Sequence, residues 1–341
     1  MHFSFEPLTL KTRHVFAISR GASDTFGGAI VKIEDDGVVG LGEAAPSAFY
    51  GENRGTVLAV IEHLRSEIPD DPFSLEEARR RMDALIGGNP AAKAAIDIAL
   101  HDLVSKKLGV PLYRFLGLSG EKTPFTSFTI GIDDVELMKQ RAVEASEFSI
   151  LKIKVGTDRD EQVLDAIRSV TDRTLRVDAN CAWGPREAIR RISVLEQFDI
   201  EFVEQPIAPG DAEAMRFVRE NVSVPIIADE SVKTSSDINA LVGAVDGINI
   251  KLMKCGGIRE ALKMIHTARA LGMKVMLGCM VESSIGITAA AHLSPEVDYA
   301  DLDGNLLLKA DPYAGVEIKQ GRLVLPSEAG LGVRAKDDST S

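Results

Sequence analysis

Lys154, Asp178, Glu204, Asp229, Lys251, Cys279 and the pair Asp301/Asp303 recur at intervals of 24, 26, 25, 22 and 28 residues, then 22 or 24. Each stands at the end of a short, β-branched run: ILKIKVG, LRVDAN, IEFVEQP, PIIADES, GINIKLMK, KVMLGCM and DYADLDGN. A lone Asp after a strand is most simply a helix cap. Three acids at consecutive run ends, with lysines on both sides, ask for another explanation. Asp178, Glu204 and Asp229 would offer three carboxylates to a hard divalent cation, which points to Mg²⁺, with Mn²⁺ able to substitute. No histidine falls at a run end, which disfavours Zn²⁺. Lys152 and Lys154 would lie on one side of the cation and Lys251 on the other. A lysine beside a cation and a second ammonium has its neutral form favoured and becomes a usable general base. Two of them, facing one carbon from opposite sides, could take a proton from one face and return it to the other. In ILKIKVG the two lysines alternate with Leu151, Ile153 and Val155. The strand is therefore either half-exposed or buried with compensating charge.

These residues need elements that bring their ends to one level. With FTSFTIG there are eight such runs, each followed by an amphipathic helical stretch. Strands alternating with helices make parallel βαβ units, and eight suggest a closed barrel whose rim carries the polar residues. A doubly wound open sheet is the rival, although no GxGxxG follows the first run. The reading is α/β: a modified (β/α)7β barrel of the TIM type over residues 119–315, preceded by an α+β domain over 1–118. In that first part AIVKI (29–33) and VVGLG (38–42) flank the turn Asp35-Asp36-Gly37 as antiparallel strands. A helix follows, with Asn89 as its cap, Pro90 in its first turn and Gly109 after its end. The stretch 316–327 reads as a hairpin, and 316–341 is expected to return to the first domain.

The 341 residues carry a net charge of −12, which argues against nucleic-acid and anionic-membrane surfaces. No signal peptide or membrane span is evident. The three cysteines are odd in number and scattered, which suits a reducing cytoplasm rather than a disulfide framework. A homo-oligomer is compatible with the sequence.

KIKVG, VDAN, VEQP, ADES and NIKLMKCGGI, in this order and spacing, resemble the enolase superfamily, in its muconate-lactonizing subgroup. The resemblance spans nearly the whole chain and likens the first part to that family's capping domain. It implies that Asp178, Glu204 and Asp229 bind one Mg²⁺ and that Lys154 and Lys251 are the acid/base pair. Lys152 would help hold a substrate carboxylate while an enediolate forms at the adjacent carbon. Asp301 and Asp303 share a face and suit a substrate ammonium. The pair resembles the DxD feature of dipeptide epimerases. That branch implies epimerisation of the C-terminal residue of a dipeptide, with L-Ala-D/L-Glu or a related Ala-Xaa as the expected substrate. Arg20, in FAISRGASDTFGG, would meet a side-chain carboxylate. Glu52 would work against an acidic substrate if it pointed inward. Cys279 and Met280 would line the side-chain pocket. The alternatives are an N-acylamino acid racemase, an o-succinylbenzoate synthase or a non-enzymatic metal-binding scaffold.

Overall fold

The computed structural model describes residues 1–336. Strands β1 (His2–Ile18), β2 (Gly21–Asp35) and β3 (Val38–Ala44) form an antiparallel sheet in that order. Asp36 (φ 51°) and Gly37 (φ 76°) make the left-handed two-residue turn that matches the twist of the β2–β3 hairpin. Helices α1 (Arg54–Leu64), α2 (Leu75–Leu85), α3 (Pro90–Lys107) and α4 (Leu112–Phe115) follow. The Ala-rich α3 lies directly on β3: a Cβ on Gly42 would sit 1.9 Å from the Ala95 carbonyl oxygen. Asn89 does not cap α3; it adopts φ 53° and makes no side-chain cap bond. Instead the buried Glu52 carboxylate accepts the Ala91 N–H at 3.1 Å. Glu52 thus serves a helix start, and it is not among the residues lining the cavity described below.

The eight expected runs form one parallel sheet, with neighbours in chain order: β4 (Phe128–Ile130), β5 (Ile150–Lys154), β6 (Thr174–Asp178), β7 (Ile200–Glu204), β8 (Ile226–Ala228), β9 (Gly247–Ile250), β10 (Lys274–Gly278) and β11 (Tyr299–Asp301). The Ser127 N–H, just before β4, donates to the Ala300 carbonyl of β11 at 3.1 Å, which closes the barrel. Helices α5 (Val135–Glu144), α6 (Asp160–Arg168), α7 (Pro185–Leu195), α8 (Ala212–Glu220), α9 (Ser235–Ile238), α10 (Leu252–Cys255), α11 (Ile258–Ala270) and α12 (Ser284–Ala291) fill the crossovers, α10 and α11 sharing one. Strand β5 is buried on both faces. Leu151, Ile153 and Val155 belong to the apolar core, while Lys152 and Lys154 are 1% and 8% exposed.

The β1–β2 register slips between Lys11 and Phe16. Backbone freed there binds the segment after β11: Arg13 N–H donates to Leu307 O (2.9 Å) and Lys309 N–H to Lys11 O (2.7 Å). Beyond the barrel, β12 (Tyr313–Ala314) pairs with β15 (Arg334–Ala335), and β13 (Glu317–Lys319) with β14 (Arg322–Val324). The hairpin expected at 316–327 docks at the N-terminal end of the barrel, where Thr126 N–H meets Gly321 O at 2.8 Å. The next stretch returns to the first domain through Leu112 N–H to Gly330 O (2.8 Å) and Leu331 N–H to Asp102 Oδ1 (2.7 Å). Residues 337–341, the end of the expected returning segment, lie outside the described residues. Among the described residues no helix is long and apolar enough to cross a membrane.

Candidate active site

Period-two alternation turns Lys152, Lys154, Arg176, Asp178, Phe202 and Glu204 into the barrel. Lys154, Asp178 and Glu204 are register partners on adjacent strands and so stand at one level. Asp229 follows β8, and Lys251 follows β9. Tight turns then lead away from these carboxylates, with Asn180 (φ 45°), Cys181 (φ 66°) and Gln205 (φ 36°) in left-handed conformations that non-glycine residues seldom adopt.

Asp178, Glu204 and Asp229 are at most 1% exposed. Lys154 Nζ lies 2.6 Å from Asp178 Oδ2, Lys152 Nζ 2.6 Å from Glu204 Oε2, and Lys251 Nζ 2.7 Å from Asp229 Oδ2. Among the described residues no three acidic, histidine or cysteine groups converge as a ready-made metal cluster, because each carboxylate is drawn onto an ammonium. The donor set nonetheless fits a divalent cation. Glu204 Oε2 and Asp229 Oδ2 are buried and lack a hydrogen bond of good geometry. Their other oxygens are held by the protein: Asn249 Nδ2 donates to Glu204 Oε1 (2.7 Å) and Lys254 Nζ to Asp229 Oδ1 (2.6 Å). Asp178 Oδ1 accepts the Asn180 N–H at 2.9 Å. Such outer contacts fix metal-binding carboxylates in place.

Charge compensation is uneven. Burial works against the Asp178 carboxylate, but Lys154 and Lys152 bring its pKa down to about 2. Burial and the nearby Asp178 push Glu204 up to about 7. Burial opposes the ammonium of Lys251, yet Asp229 and other neighbours raise its pKa well above the ordinary lysine value. That is the reverse of the neutral form expected for a general base beside a cation.

A cavity of about 550 Å³ opens above this cluster, between the barrel rim and the first domain. Arg20, Lys152, Lys154, Lys251, Cys279, Met280, Asp301 and Asp303 line it, whereas Asp178, Glu204 and Asp229 lie beneath the lysines. Asp301 binds Lys152 Nζ (2.7 Å) and Ser127 Oγ (2.6 Å). Asp303 accepts the Thr129 N–H at 2.5 Å and has no ion-pair partner among the described residues. Burial and the adjacent Asp301 push it up to about 7. One more cation there would complete the pair.

Cys279, Met280 and Arg20 all line the cavity. Cys279 Sγ lies 3.2 Å from Asp301 O, at the Asp301/Asp303 end, and the Met280 backbone carbonyl packs against Gly304. Arg20 does reach the cavity, but its Nη1 donates to Glu230 Oε1 (2.6 Å) and Asn180 O (2.7 Å), with the guanidinium 4.3 Å over the Phe49 ring. Nε and Nη2 make no protein hydrogen bond among the described residues. Sequence reasoning did not single out Glu230, Asn249 or Lys254. Asn249 sits two residues before Lys251, and Lys254 three after it within a helical turn, so the periods alone carried a signal for both.

Comparison with known proteins agrees with this arrangement. The N-terminal domain profile of the mandelate racemase/muconate lactonizing enzyme family matches residues 6–117, and the enolase C-terminal domain-like profile matches 134–339. The L-Ala-D/L-Glu epimerase of Bacteroides thetaiotaomicron is 45% identical over 98% of this chain and 88% of its own length. The hydrophobic dipeptide epimerase of Enterococcus faecalis is 42% identical over 95% of this chain and 96% of its own. The crystal structure of the dipeptide epimerase from Enterococcus faecalis, complexed with Mg and L-Leu-L-Tyr, superposes with a TM-score of 0.93 at 41% identity, covering 97% of this chain and 98% of that one. A barrel rim of alternating lysines and carboxylates under a cap, matched end to end by these profiles and relatives, places the chain in the mandelate racemase/muconate lactonizing enzyme family of the enolase superfamily.

Proposed function

We propose that this protein is a Mg²⁺-dependent dipeptide epimerase that inverts the α-carbon of the substrate's C-terminal residue. The observation that carries the reading is the placement of Lys154 and Lys251. They stand at β5 and after β9, four strands apart in an eight-stranded barrel, and so face one another across a single cavity. The relatives from Bacteroides thetaiotaomicron and Enterococcus faecalis, named as dipeptide epimerases, support the same reaction class.

Asp178, Glu204 and Asp229 would hold the cation, which supplies positive charge to offset the charge growing on the substrate carboxylate as its α-proton leaves. Lys152, between Asp178, Glu204 and Asp301, would neutralise that same end of the substrate. One catalytic lysine, neutral at the start, takes the α-proton, and the C–H electron pair moves into the carboxylate. The opposite lysine then gives its proton to the other face of the carbon, forming the inverted C–H bond. Asp303, with Asp301, would bind the substrate ammonium. The unused edge of Arg20, anchored by Glu230, is available to a side-chain carboxylate, which favours glutamate among C-terminal residues. Cys279 and Met280 would pack beside the amine. All three cysteines are free, in keeping with a cytoplasmic setting.

The test is a dipeptide panel in D₂O with Mg²⁺, scored by α-deuterium uptake and inversion. Exchange should occur at the C-terminal residue and vanish after metal removal with EDTA. Persistence of full activity in metal-free protein would refute the assignment. N-acetylation of a good substrate should lower kcat/KM by roughly 10²-fold, since a buried charge left unpaired costs about 2–5 kcal/mol. Equal turnover of the acetylated form would favour an N-acylamino acid racemase instead.

A further inference from the structure

Three residues past Lys251, in the single turn of α10, a second lysine reaches back to the same carboxylate. Lys254 is 1% exposed and is not among the residues lining the cavity. An ammonium has three N–H groups, and three oxygens take them here: Asp229 Oδ1 (2.6 Å), Asp229 O (2.6 Å) and Asn249 O (2.8 Å). No N–H is left for a substrate, so Lys254 is not a third acid/base group.

Its acceptors belong to the parts that must be held in place. Asp229 follows β8, and Asn249 lies in β9, where its side chain donates to Glu204 Oε1 at 2.7 Å. The backbone N–H groups of Lys254 and Cys255 both donate to Lys251 O at 3.0 Å, so the turn that carries Lys254 starts at Lys251. One buried ammonium thus joins a candidate cation ligand, the strand that steadies another, and the turn leading from Lys251. Asp229 is gripped on both sides, by Lys254 at Oδ1 and by Lys251 at Oδ2 (2.7 Å). Oδ2 is the oxygen without a well-formed hydrogen bond, so a cation and Lys251 compete for it. The grip of Lys254, on Oδ1 and two backbone oxygens, is compatible with either occupant.

We infer that Lys254 is a positioning residue with two charges in its care. It keeps Asp229 aimed at the cation, and it holds Lys251 at its face of the substrate once Lys251 has released Asp229. The second half rests on the epimerase reading above, and the first half needs no substrate. Charge-assisted bonds from a buried donor fix geometry tightly, and a shift of about 1 Å in a reacting group costs about 10²-fold in rate.

The experiment compares Lys254→Met and Lys254→Gln, which both lack the charge, with the wild type. Calorimetric titration with Mg²⁺ alone should show binding about 10–100-fold weaker in the variants, the usual loss when the outer partner of a ligand is removed. At saturating Mg²⁺, α-deuterium uptake is then followed from each epimer of a dipeptide that the wild type turns over. Uptake should fall at least about 10-fold for the epimer whose exchange Lys251→Ala abolishes, and stay near the wild-type rate for the other. A merely structural role would lower both epimers alike. Unchanged Mg²⁺ affinity, equal loss in both epimers, or failure of both variants to fold overturns the inference. A wild type that binds Mg²⁺ yet exchanges no dipeptide overturns the epimerase reading instead, and the titration still decides whether Lys254 aims Asp229.

Discussion

Lys154 and Lys251 are each held on a carboxylate, Asp178 and Asp229 respectively, at 2.6 and 2.7 Å. On the proposed mechanism, removing either one would strip the acid/base group from one face of the substrate and leave the other face served. Lys154→Ala and Lys251→Ala should each lose epimerisation by at least about 10²-fold, the contribution of one positioned acid/base group. Each should still exchange the α-proton of one epimer with D₂O, and the two variants should choose opposite epimers. Retained inversion in either, or the same preferred epimer in both, would refute the one-base-per-face arrangement. At this scale the sequence was most legible where residues repeat with the βα unit. Lys154, Asp178, Glu204, Asp229 and Lys251 announce themselves by interval. Glu230 and Arg20 do not: their 2.6 Å contact joins positions 210 residues apart, and no local period encodes it.

The barrel strands were readable because an inward polar residue interrupts each β-branched run. The first sheet was readable only in part. AIVKI and VVGLG lie inside β2 and β3, but β1 and the outer half of β2 extend well past them, as a hairpin whose ends are largely exposed and lack a steady apolar alternation. The slip between Lys11 and Phe16 follows from a tertiary partner, residues 307–309, that local sequence does not contain. Asn89 read as a cap for the same reason, since its rival Glu52 is 39 residues away from the amide it accepts. By contrast, VVGLG carries its packing openly. Gly40 and Gly42 share the face on which α3 lies, and a methyl at either would fall about 2 Å from a helix carbonyl, at 2.1 Å from Ala99 O or 1.9 Å from Ala95 O. Gly42→Ala must push α3 away, at a cost of about 1–3 kcal/mol or more. A lowered urea midpoint with an unchanged slope is the expected result. An unchanged midpoint would mean that sheet and helix can separate without loss.

Across the whole molecule, sequence-distant segments converge on the buried Asp102 in α3. Its carboxylate accepts the Leu41 N–H of β3 (2.8 Å) and the Leu331 N–H of the returning segment (2.7 Å), and it holds Lys106 Nζ at 2.6 Å. Asp102→Ala would leave both amides without that partner. Each buried polar group left unmade costs about 1–3 kcal/mol, so stability measured by denaturant should fall by at least about 2 kcal/mol. A loss under half of that would show that water replaces the carboxylate. The return of residues 330 and 331 also sets an order of events during synthesis. The opening sheet and α3 precede the barrel in the chain, yet the partners of Asp102, Val110 and Leu112 follow it. The first domain's flank on α3 thus stays open until the segment beyond the barrel has been made. A chain cut short within the barrel would lack residues 330 and 331 and keep that flank of α3 exposed.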